Sequence, residues 1–202
     1  MIIKVCGLRE SHNIQAIDEI GVDWIGFIFH PQSPRFVALL PSYLPQKAKS
    51  IGVFVNSTSN FISKTADMFG LWGVQLHGNE TPEQCSFLRN KGLRVIKACS
   101  IATLSDIKAA QMFAPCSDYL LFDTKCNGYG GSGKKFNWNL LQAYTASTPF
   151  LLSGGLRPES VDDLKRFHHP SLAGYDLNSG FELRPAVKDV DAISQFIKNI
   201  KS

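Results

Sequence analysis

Eight short, apolar, β-rich runs punctuate this chain at nearly even intervals, at residues 2–5, 24–29, 50–55, 72–76, 94–98, 119–122, 150–152 and 174–177. Their starts are separated by about 25 residues on average, close to one strand plus one crossover helix. The runs are nearly continuous rather than alternating, the pattern of strands buried on both faces, as in a parallel sheet. Helical patterns with start and stop signals lie between them. Thr81-Pro82-Glu83 supplies an N-cap, a proline at the first helical position and an acid in the first turn, and Gly92 marks the stop. Segments 11–20 and 158–167 read as helices, as does a shorter one at 42–49. Val190, Ile193, Phe196, Ile197 and Ile200 form a stripe with helical period. Eight strands, seven helical connections and a closing helix predict an α/β TIM (β/α)8 barrel, one domain over residues 1–202. An open doubly wound sheet would carry a glycine-rich dinucleotide turn after its first strand. Here that strand runs into Cys6-Gly7-Leu8.

Composition narrows the function classes. Lys plus Arg number 21 and Asp plus Glu 17, a formal charge of +4 with no basic arm, so no nucleic-acid partner is expected. No run approaches the ~18 apolar residues of a membrane helix, and the start is too short and too charged for a secretion signal. A cytoplasmic protein is expected. Five cysteines without C-x-x-C spacing fit a reducing compartment and exclude a disulfide framework or zinc knuckle.

In such a barrel the chemistry sits at the carboxyl ends of the strands. That rule selects Cys6, the turn 30–35 with Arg35, Asn56, His77-Gly78, Cys99, Asp123, Ser153-Gly154-Gly155 and Asn178-Ser179-Gly180. The last two motifs, at strands seven and eight, suit a phosphate cradle of backbone N–H donors. Cys6 as a thiolate and Asp123 holding a proton would make an acid–base couple. The same residues also read as a buried core thiol and as an N-cap or ion pair. Arg35 suits a carboxylate or phosphate, or a surface ion pair. His77 suits a donor or proton shuttle, or a bond within its loop. His168-His169 reads as surface, without metal-ligand companions.

Ordered motifs along nearly the whole chain then point to a family: 4–8 (KVCGL), 33–37 (SPRFV), 52–56 (GVFVN), 74–80 (VQLHGNE), 121–123 (LFD), 130–134 (GGSGK), 152–156 (LSGGL), 176–180 (DLNSG) and Lys188-Asp189. The chain resembles the phosphoribosylanthranilate isomerases, (β/α)8 enzymes of tryptophan biosynthesis. The resemblance implies an Amadori rearrangement of an aldosylamine to an aminoketose. It implies Asp123 as general acid and Cys6 as general base. Arg35 would hold a carboxylate, and backbone at Gly154, Gly155, Ser179 and Gly180 a phosphate, with His77 also at the substrate. It implies no cofactor, no metal, a phosphorylated small-molecule substrate, and a monomer or homodimer. The glycine-rich stretch 124–135 would close as a lid. Phe181 and Ala186 depart from the family's small aliphatic residue and glycine, and imply a reshaped phosphate rim and a stiffened turn. Two other readings are a non-catalytic phosphate-ligand-binding barrel and a metal-dependent sugar-phosphate epimerase. The acid–base couple argues against the first; a shortage of His and Asp at strand ends argues against the second.

Overall fold

In a computed structural model, which describes residues 1–124 and 137–202, eight parallel strands close on themselves in chain order. They are β1 (Ile2–Cys6), β2 (Trp24–Ile28), β3 (Lys49–Phe54), β4 (Gly73–Leu76), β5 (Arg94–Ile101), β6 (Tyr119–Thr124), β7 (Phe150–Leu152) and β8 (Leu172–Leu177). The last pairs with the first, setting Asp176 beside Lys4. Every expected run is a strand. β5 and β8 are longer than their apolar stretches: β5 continues through Ser100, paired with Asp123, and β8 begins at Leu172, paired with Phe150, before a register shift that passes over Ala173.

Alternation along the strands divides the core in two. Trp24, Ile51, Ile96, Ala98, Leu121 and Leu151 form a separate buried cluster, the lower filling of the barrel. Trp24 meets Trp72 at 5.3 Å and Tyr119 at 5.0 Å, closing the floor where their strands begin. The intervening strand residues, Val5, Phe27, Phe54, Val74, Phe122 and Leu177, join the larger cluster with the helices. These are α1 (Ser11–Glu19), α2 (Ser59–Phe69), α3 (Pro82–Asn90), α4 (Leu104–Gln111), α5 (Val161–Arg166) and α6 (Val190–Lys201). Local chemistry starts four of them: Thr58 and Thr81 accept from the first turns of α2 and α3, Thr103 and Asp106 form a capping box, and Asp189 caps α6. Ile193, Phe196 and Ile200 of the α6 stripe are buried.

In their described residues two connections differ from the helices expected. Residues 42–49 form no helix. Pro45 lacks an N–H and would break one. The free donors turn to Asp18 of α1 instead, which accepts from Gln46 N (2.8 Å), Lys47 N (3.2 Å), Ala48 N (2.7 Å) and Tyr43 Oη (2.9 Å). Between β6 and β7 the described residues form 3-10 turns, Trp138–Ala143. The expected glycine-rich lid, with Gly128, Gly130, Gly131, Gly133 and Cys126, lies outside the described residues apart from Thr124. A two-stranded hairpin, β9 (Glu182–Arg184) with β10 (Val187–Lys188), follows β8. Among the described residues no helix is long and apolar enough to cross a membrane.

Candidate active site

A cavity of about 360 Å³ opens at the carboxyl ends of the strands, and all eight expected site residues line it. On β1 the period of two puts Lys4 and Cys6 on one face. Lys4 is fully buried and pairs with Asp176 Oδ1 at 2.8 Å, also on the cavity wall. Burial would pull the Lys4 ammonium down, but Asp176 and then Cys6 outweigh it, and Lys4 stays charged. Cys6 is 3% exposed. Burial pushes its thiol up, Asp176 adds to this, and Lys4 and Lys188 pull the other way. The cations therefore moderate the cost of a thiolate here without bringing the thiol below its ordinary value. Asp176 is itself pushed up by burial, against the pull of Lys4.

Across the cavity, Asp123 near the end of β6 accepts from Thr124 N at 2.7 Å through Oδ1. Its Oδ2 lies 3.6 Å from His77 Nε2. His77 Nδ1 is 2.7 Å from the Gln75 amide nitrogen, and the tautomer that accepts there carries its proton on Nε2, the nitrogen nearer Asp123. The loop carrying His77 is fixed from behind: buried Lys97 donates to Gly78 O (2.7 Å) and Glu80 (3.1 Å), and Glu80 accepts from Asn56 N and Gly78 N, each at 2.8 Å.

Arg35 stands on the third side, already paired. Its Nε and Nη2 donate to Glu182 Oε1 and Oε2 at 2.9 and 2.6 Å. Glu182 also accepts from Lys188 Nζ at 2.7 Å and Ala186 N at 3.1 Å. Burial would raise the Glu182 carboxyl, but Arg35 and Lys188 hold it below the usual range. Burial pulls Lys188 down to about 8, against the pull of Glu182.

The fourth side is backbone. Ser153 N makes the last ladder bond of β7, to Phe122 O at 2.8 Å, so the amides of Gly154 and Gly155 lie beyond the sheet. Both glycines have positive φ, 86° and 64°, a conformation L-residues rarely adopt. Facing them, Ser179-Gly180-Phe181 turns in a 3-10 helix with Gly180 against the Leu156 carbonyl. The Phe181 ring is buried and packs on Phe196 of α6, centroids 5.1 Å apart, and is not among the residues lining the cavity. Ala186 takes φ 68°, the region the usual glycine would supply. His168 is exposed, whereas His169 turns inward, against Tyr144 O and Ser171 N. Among the described residues no three His, Cys, Asp or Glu side chains are grouped to hold a metal ion.

Sequence reasoning passed over Lys4, Gln75, Asp176, Glu182 and Lys188. The signal for the first three was a charged or amide side chain inside an otherwise apolar run, where only a partner makes burial tolerable. Nothing local marks Glu182.

A closed parallel barrel whose strand ends surround a thiol, carboxyls and an exposed backbone turn defines a (β/α)8-barrel enzyme acting on a small molecule. The comparisons specify which kind. Residues 3–199 match the family model described as N-(5'-phosphoribosyl)anthranilate (PRA) isomerase, and the chain belongs to that family. It is 58% identical over 201 residues to the N-(5'-phosphoribosyl)anthranilate isomerase of Phocaeicola vulgatus, covering 100% of this chain and 98% of that one. The Thermotoga maritima phosphoribosyl anthranilate isomerase structure matches with a TM-score of 0.85 at 33% identity, over 100% and 99% of the two chains. A second phosphoribosyl anthranilate isomerase structure, at 0.81 and 30% over the same shares, holds reduced 1-(o-carboxyphenylamino)-1-deoxyribulose 5-phosphate.

Proposed function

We propose that the site performs the isomerisation of N-(5'-phosphoribosyl)anthranilate to 1-(2-carboxyphenylamino)-1-deoxyribulose 5-phosphate, with Asp123 and Cys6 as acid and base. The chain is a phosphoribosylanthranilate isomerase of tryptophan biosynthesis. One observation carries the residue roles: Cys6 and Asp123 line the same cavity, between a backbone turn suited to phosphate and a guanidinium suited to a carboxylate. The substrate has those two anions at its ends and its reacting carbons between them, so binding at the ends orients the middle. Asp123 gives a proton to the ribose ring oxygen as the C1–O bond breaks, and the nitrogen lone pair forms C1=N. The Cys6 thiolate takes the C2 proton. The C2–H electrons become C1=C2 and the C=N pair returns to nitrogen, giving an enolamine. Protonation at C1 with loss of the C2 hydroxyl proton completes the aminoketose. His77 donates toward Asp123 and stabilises its carboxylate after transfer. Gly154, Gly155, Ser179 and Gly180 hold the phosphate. The enzyme works without cofactor, in the cytoplasm, as a monomer or homodimer.

The test is the loss of anthranilate-type fluorescence when the substrate is formed in situ from anthranilate and phosphoribosyl pyrophosphate. Wild-type protein accelerates the decay. Asp123→Asn and Cys6→Ala each lower turnover by about 10²–10⁴-fold with unchanged circular dichroism. Near wild-type rates in both would remove the assignment of acid and base.

A further inference from the structure

The proposed carboxylate receptor, Arg35, is not a free side chain. Its amide is tied to Ser33 Oγ at 3.2 Å. Its methylene stem lies on Gly7, where a Cβ would stand 2.6 Å from Arg35 Cδ. Its head is gripped by Glu182 through two parallel bonds. A guanidinium has two carboxylate-binding edges, the Nε/Nη2 side and the Nη1/Nη2 end. Glu182 takes the first, so on this residue of the cavity wall the end edge is the one left to a ligand. Glu182 is in turn fixed by Lys188 Nζ and Ala186 N, and Lys188 also donates to Asn178 Oδ1 at 2.8 Å. The receptor therefore stands aligned before any ligand arrives, and little ordering is left for the ligand to impose.

We propose that Glu182 is the positioning residue of the carboxylate subsite: it holds Arg35 by its side edge and so aims the end edge at an aryl carboxylate. The inference rests on the reading of Arg35 above. It also has an opposite: a carboxylate so close to Arg35 could compete with the ligand, in which case removing it would tighten binding.

Two probes separate these. One is reduced 1-(o-carboxyphenylamino)-1-deoxyribulose 5-phosphate; the other is its phenylamino counterpart without the carboxyl group. Binding is followed by calorimetry on the whole protein. Wild type should prefer the carboxylate probe. In Glu182→Gln, and in Glu182→Asp, which keeps the charge but withdraws it by one methylene, the carboxylate probe should weaken about tenfold. The decarboxylated probe should stay within about twofold, since the phosphate cradle is untouched. Turnover should show the same split, with KM raised more than kcat is lowered. A general loosening of the fold would weaken both probes alike and overturn the proposal, as would a preserved or improved preference for the carboxylate. Wild-type binding of neither probe would overturn the functional reading itself, and with it this inference.

Discussion

Cys6 shows how one side chain can need its neighbours to work. Burial makes its thiolate costly, and Lys4 and Lys188 offset part of that cost. The sign of the pH response follows. Reaction of Cys6 with iodoacetamide should be slow at neutral pH and accelerate on the alkaline side, as the thiolate forms above the ordinary thiol range. In Lys4→Met a cation is gone while Asp176 remains, so the acceleration should move to higher pH. An unmoved midpoint, read by mass spectrometry of the alkylated peptide, would remove Lys4 from the account. Ala186 is a second single-residue case. Its left-handed backbone costs about 1–2 kcal/mol. Ala186→Gly relieves that. It also removes a buried methyl, about 0.8 kcal/mol, and frees the unfolded chain by about 0.4–1 kcal/mol. These terms nearly cancel, so urea unfolding should find the variant within about 1 kcal/mol of wild type. Ala186→Val adds a β-branched side chain at the same φ in a fully buried position, and should cost about 2 kcal/mol or more.

At the scale of elements, the connection from β2 to β3 is built on Asp18 rather than on a helix. Burial alone would raise the Asp18 carboxyl, but the amides of Ala48 and Gln46, the Tyr43 hydroxyl and the amide of Lys47 hold it below the usual range. Asp18→Asn trades this acceptor for a poorer one carrying its own donors. The expected loss is about 2–3 kcal/mol of unfolding free energy. Because the folded carboxyl is the stronger acid, its contribution is fully present above the unfolded value near 4 and fades as pH falls below it. Wild type and Asp18→Asn should therefore converge in stability below about pH 4. A constant gap down to pH 2 would mean that the loop is held by something other than the carboxylate.

For the whole molecule, most of the barrel was legible because parallel strands buried on both faces read as uninterrupted apolar runs. The helix start at Thr81 was equally local. What stayed hidden was long-range. The Lys4–Asp176 pair spans 172 positions and Arg35–Glu182 spans 147, and both partners meet only once β8 has closed on β1 and the hairpin has folded over. A charge inside an apolar run announces that a partner exists, not where it is. The non-helical 42–49 connection was missed for the same reason, since its organiser sits on α1. The proposed phosphate cradle is likewise a property of closure, joining β7 and β8. A ligand bound there stabilises by about 2.7 kcal/mol at a hundredfold its Kd. The reduced product analogue should accordingly raise the melting midpoint of wild type. In Gly180→Ala a Cβ would collide with Leu156 O, spreading the two loops, and that rise should be mostly lost. An undiminished rise would exclude the β8 loop from the phosphate site.

The floor of the barrel carries a consequence of another kind. Trp24 and Trp72 lie 5.3 Å apart with ring planes at 44°, and Tyr119 stands edge-on to the first. Indoles that close and that inclined share their excitation, which gives paired bands of opposite sign in circular dichroism. Trp24 is on β2, Tyr119 on β6, and Trp72 leads into β4, so the optical coupling exists only while distant parts of the barrel wall are held together. It lies at the opposite end from the chemistry. The protein thus contains its own optical gauge of barrel closure, readable while the active site is altered at will.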